Sequence, residues 1–127
     1  MQNRSRESQR QEILQRARTH ITEFETQLLG KGYTLAHIRL TLVFVCVERM
    51  KSRTKKGLVY ADPLEKSANE FFEQDVEPML REFTGENEAE FLALEAKVHK
   101  HLSDTIDGMY SGVLLGQDAV QQKSALV

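Results

Sequence analysis

The sequence predicts an all-α protein: a single-domain bundle of four to five helices around a central apolar helix at about residues 34–53. Three observations carry this. Apolar residues recur in steps of three and four over long stretches without Gly or Pro, the spacing of one helix face. Two Pro and seven Gly in 127 residues are too few for the frequent turns of an all-β chain. Thr34, Asp62 and Asn87 each stand directly before a periodic segment, where a short polar side chain caps a helix. With 40% hydrophobic and 28% charged residues, the chain can bury a core and is not expected to be disordered.

Taken in order, residues 1–9 read as a flexible N-terminus, 10–116 as the helical bundle domain and 117–127 as a flexible C-terminal tail. Helix one is expected from about Gln9 to Leu29. Leu14, Ala17, Ile21, Phe24 and Leu28 form its stripe, widened by Ile13 and Leu29, with Arg10, Arg16 and Arg18 opposite. Gly30 and Gly32 suit the turn that follows. Thr34 then caps the central stretch, in which Leu35, Ile38, Leu42 and Val45 keep helical spacing. Residues 42–47 are apolar nearly all round, which predicts contact from several sides. Val43, Phe44, Val45 and Val47 favour strands intrinsically, but a strand of this length would be unusual. Gly57 is expected to stop this helix.

Asp62-Pro63 with Glu65 is a strong helix start. Leu64, Ala68, Phe71, Phe72, Val76, Met79, Leu80 and Phe83 form the buried stripe of the third helix. Pro78 falls inside it, predicting a kink near Gln74–Val76 or two consecutive helices. Thr84-Gly85 closes the segment, and Asn87 with Glu90 opens the next. Phe91, Leu94, Val98, Leu102 and Ile106 point inward, with a stop at Gly108 and a short element beyond it.

The net charge of −2 conceals a polarity. Residues 1–56 hold twelve Lys/Arg against five Asp/Glu, whereas residues 57–127 hold five against fourteen. Such asymmetry marks either a partner-facing surface or two halves that complement each other within the fold or in a dimer. The charged N-terminus is unlike a secretory leader, and no run approaches the ~20 apolar residues that span a bilayer. Cys46, the single cysteine, cannot form an internal disulfide and sits in the most apolar segment. A cytoplasmic setting without membrane contact is expected.

Motifs for chemistry are absent. His99 and His101 are two apart, about 200° around a helix, and cannot chelate jointly. Glu95 and His99 have the spacing of a surface pair. Cys46 in an apolar helix is a poor nucleophile. Gly108-Met109-Tyr110-Ser111-Gly112 lacks the spacing of a nucleophile elbow. Gly30-Lys31-Gly32 lacks that of a phosphate loop. No catalytic residue, cofactor, metal or small-molecule ligand is predicted. Residues Leu28 to Arg39 are similar to the first helix and approach of helix-turn-helix segments. That resemblance implies a turn near residues 43–46 and a recognition helix after it, whereas here the chain continues as an apolar run.

The functional expectation is a non-enzymatic helical binding protein, an adaptor, inhibitor, chaperone or co-regulator, acting on a protein partner or as a homodimer. Glu70, Glu73 and Glu77 are its candidate acidic surface. The alternative is a DNA- or RNA-binding regulator that sets Arg39, Arg49, Lys51, Arg53, Lys55 and Lys56 against phosphates or an acidic partner. Stacking aromatics are not interleaved with that cluster, which disfavours single-strand binding.

Overall fold

The computed structural model describes residues 5–52 and 58–126, with side chains as far as Met109. All regular structure among the described residues is helical, and the helices pack as a bundle. α1 runs Arg6–Gly30, α2 Leu35–Lys51, α3 Pro63–Phe71, α4 Glu77–Thr84 and α5 Glu88–Leu126. A π-helical turn, Phe72–Val76, joins α3 to α4.

Caps set the helix starts. Thr34 Oγ1 accepts from the His37 amide at 3.2 Å, Asp62 Oδ2 from Glu65 at 3.0 Å and Asn87 Oδ1 from Glu90 at 3.0 Å. Each satisfies an amide that the first helical turn leaves free. Ser5 does the same for Ser8. α1 therefore begins at Arg6, inside the segment expected to be a flexible N-terminus. The start is held from outside the helix as well: Arg6 lies over the Phe83 ring, 3.9 Å from its centroid, and pairs with Glu90. Gly85 ends α4 at φ +58° and Gly32 turns the chain before α2 at φ +99°, a region that Gly enters without a Cβ clash. The expected stop at Gly57 lies outside the described residues.

Pro78 sets the geometry of the α3–α4 segment. It has no amide, and its ring would clash with the carbonyl of Gln74, four residues earlier. The chain answers with the π turn just before it, where the Glu77 amide donates to the Phe72 carbonyl five residues back. The wider turn also keeps the stripe on the core. Leu64, Ala68, Phe72, Val76, Leu80 and Thr84 are all buried. Steps of four drift by about 40° each in a regular α-helix, and the π turn takes up part of that drift.

The core is a single cluster from all five helices, including Ala17 and Ile21 of α1, Ile38, Leu42 and Val45 of α2, Leu64, Phe72 and Leu80 of the α3–α4 segment, and Phe91, Leu94 and Leu102 of α5. α2 packs against α1, α3 and α5. Its enclosure is incomplete, because Leu40 and Phe44 are exposed at 45% and 47%. Leu29, expected to widen the α1 stripe, is exposed as well.

The stop expected at Gly108 is absent. α5 continues through Gly108, Gly112 and Gly116 to Leu126, across the region expected to hold a separate short element and a tail. A glycine ends a helix when it adopts the left-handed conformation. Among the described glycines only Gly32 and Gly85 have positive φ. Inside a helix, Gly costs about 1 kcal/mol relative to Ala without breaking it.

Candidate binding surface

The described members of the predicted basic cluster, Arg39, Arg49 and Lys51, do not share one outward face. Arg39 Nε donates to Glu25 Oε2 at 3.0 Å, and Glu25 is only 7% exposed. Arg49 is buried at 3% exposure. Its guanidinium donates through Nη1 to Asn69 Oδ1 at 2.6 Å and through Nη2 to Glu77 Oε2 at 2.5 Å. The planar fork suits two acceptors at once, and here they stand on either side of the π turn. Arg49 therefore clamps α2 to both halves of the bent segment. Lys51, exposed at the end of α2, is about 18 Å along the helix from Arg39 at 1.5 Å per residue. Arg53, Lys55 and Lys56 lie outside the described residues. Arg39 and Arg49 are thus internal ion-pair partners, not members of an outward basic surface.

The acidic candidates divide in the same way. Glu77 serves Arg49, whereas Glu70 and Glu73 are exposed. Glu70 lines an open groove of about 190 Å³ between the C-terminal end of α1 and the α3–π segment. Phe24, Leu28 and Phe71 form its floor, and the Phe24 and Phe71 rings stack at 4.5 Å with 17° between planes. Gln27 and Lys31 make one wall; Ser67, Glu70, Gln74 and Asp75 make the other. The residues of each wall recur at helical spacing, so the groove follows from two helices lying side by side. No sequence signal marks it, because each of its residues reads locally as part of an ordinary amphipathic helix.

A second, smaller pocket of about 10 Å³ is lined by Arg49, Phe72, Val76, Glu77, Leu80, Glu95 and Val98. It has room for about one water molecule. No group of three or more His, Cys, Asp or Glu residues suited to a metal ion occurs among the described residues. Cys46 is buried as a thiol.

Charge is tuned at the α1–α5 seam. The Arg6 hydrogen bond, aided by Arg10, holds the Glu90 carboxyl below its ordinary value. Burial, then Arg18, pushes the His101 imidazole below its ordinary value, so its neutral form is favoured. Burial raises the Tyr60 phenol. Glu90 and His101 lie about three turns apart on α5, and Tyr60 stands in the segment just before α3. No described helix is long and apolar enough to cross a membrane. Comparison with family models, with curated proteins and with solved structures returned no match, so no family is assigned to this chain.

Proposed function

We propose that this chain is a non-enzymatic binding protein, an adaptor, inhibitor, chaperone or co-regulator, that acts through protein–protein contacts. The observation that carries the reading is the groove between α1 and the α3–π segment. It joins an aromatic floor to charged walls, the mixture of anchor and polar rim found at protein interfaces. Its volume is below the roughly 300–1,000 Å³ of a typical small-molecule pocket, so one protruding side chain fits it better than a cofactor does. Arg39, Arg49 and Glu77 act within the fold, so Glu70 and Glu73 are the outward members of the candidate acidic surface.

The nucleic-acid alternative loses Arg39 and Arg49 to internal pairs and rests on Lys51 with Arg53, Lys55 and Lys56. The test is capture with the tagged full chain from its source, followed by reconstitution from purified components and mass measurement in solution. The expected result is a complex of defined stoichiometry with a protein. A chain that stays monomeric and retains no stoichiometric protein removes the reading. Retention of nucleic acid, lost with Lys51→Glu and at high salt, would put the alternative in its place.

A further inference from the structure

The groove carries a more specific inference, which rests on the reading of the chain as a protein-binding module. We propose that its occupant is a basic segment of a protein partner, which inserts one Arg or Lys side chain over the Phe24–Phe71 pair. Three features agree on a cation. Glu70 and Asp75 stand on the α3–π wall, and Glu73, also exposed, lies on the same turn. None of the three makes an ion pair with another described residue. The groove also lies at the C-terminal end of α1, the negative pole of that helix. The aromatic floor can hold the apolar stem of a long cationic side chain.

Among the described residues, Lys31 on the opposite wall carries the only positive charge that lines the groove. It disfavours a cation on its own side, so the incoming charge belongs against Glu70 and Asp75. An acidic occupant would meet two carboxylates for one ammonium. This polarity separates the inference from a merely sticky surface, because reversing opposite walls must shift affinity in opposite directions.

The experiment is an amide NMR titration of the full chain with a ten-residue peptide of alternating Gly and Arg, beside a Gly/Glu peptide of equal length. The Gly/Arg peptide is expected to shift amides around Gln27, Lys31, Ser67, Glu70 and Gln74, and to weaken as salt rises from about 50 to about 300 mM. Glu70→Lys with Asp75→Lys should weaken binding about five- to tenfold, and Lys31→Glu should tighten it about threefold. These side chains are exposed or lie on the groove walls, so the variants should keep the parent helical circular dichroism; Glu70→Gln with Asp75→Asn serves if the reversals do not. Equal binding of the Gly/Glu peptide, shifts elsewhere on the bundle, no binding, or indifference to both reversals overturns the proposal. A salt-labile dimer of this chain that Glu70→Lys abolishes would substitute a second copy for the foreign partner and overturn it as well. The broader protein-binding reading survives these failures if a stoichiometric partner is still captured by the Glu70→Lys, Asp75→Lys chain.

Discussion

Arg49→Met removes the guanidinium that holds Asn69 and Glu77 on either side of the π turn and leaves an unbranched apolar side chain two atoms shorter. Deleting one partner of a buried ion pair costs about 3–5 kcal/mol, because the remaining charge stays desolvated. The Glu77 side chain is 31% exposed, so water recovers part of its solvation, and the expected loss is about 2–3 kcal/mol. For a chain of this size that lowers Tm by roughly 10 °C. Arg49→Lys keeps the charge but not the fork; it cannot bond both acceptors in the same geometry and should fall between. Replacing both partners, Arg49→Met with Glu77→Met, should recover stability relative to Arg49→Met alone, since no unpaired carboxylate remains. Urea unfolding followed by circular dichroism reads these differences as shifts in midpoint at constant slope. Two results would refute the reasoning: an Arg49→Met chain as stable as the parent, or a double variant less stable than the single one by the full additive amount. The same series separates structure from phosphate binding. A solvent-facing arginine that touches phosphate tolerates lysine, whereas a two-armed clamp does not.

Other outcomes follow from burial and charge. Leu42→Ala, at a fully buried position of α2, should cost about 2–5 kcal/mol, whereas Phe44→Ala on the same helix should cost under about 1 kcal/mol, because that ring is half exposed; denaturant midpoints decide. Arg6 lowers the Glu90 pKa, so the stabilisation is complete above the ordinary carboxyl value of 4.5 and disappears as pH falls through the lowered value. Glu90→Gln should therefore lower Tm at neutral pH, with the gap to the parent closing as pH falls below 4.5, and parallel curves would discount the pair. The Tyr60 hydroxyl is buried and has no hydrogen-bond partner among the described residues. Tyr60→Phe should leave stability unchanged or raise it by up to about 1 kcal/mol; a clear loss in chemical denaturation would mean that the hydroxyl has a partner.

Much of the architecture was legible in local chemistry. A short polar side chain at an exposed helix start has one obvious task, so Thr34, Asp62 and Asn87 mark real caps. Apolar spacing named nearly every buried residue of the α3–α4 segment, and Pro78 announced an irregularity at the place where the π turn lies. Gly108 misled because glycine only permits a helix to end; the backbone there keeps helical dihedrals, and α5 goes on. Arg6 misled for a different reason, since the contacts that order it, Phe83 and Glu90, lie 77 and 84 residues away in the chain.

Helical character, the caps and the inward stripes follow from residues within a turn or two of one another, so reading along the chain recovers them. Which charges face water does not. Arg49 and Lys51 stand two residues apart on one helix, and only the arrival of Asn69 from α3 and Glu77 from α4 turns one of them into an interior clamp. The groove has the same origin: its two walls approach because cores pack at near-crystalline density, and that proximity depends on how side chains far apart in the chain fit together.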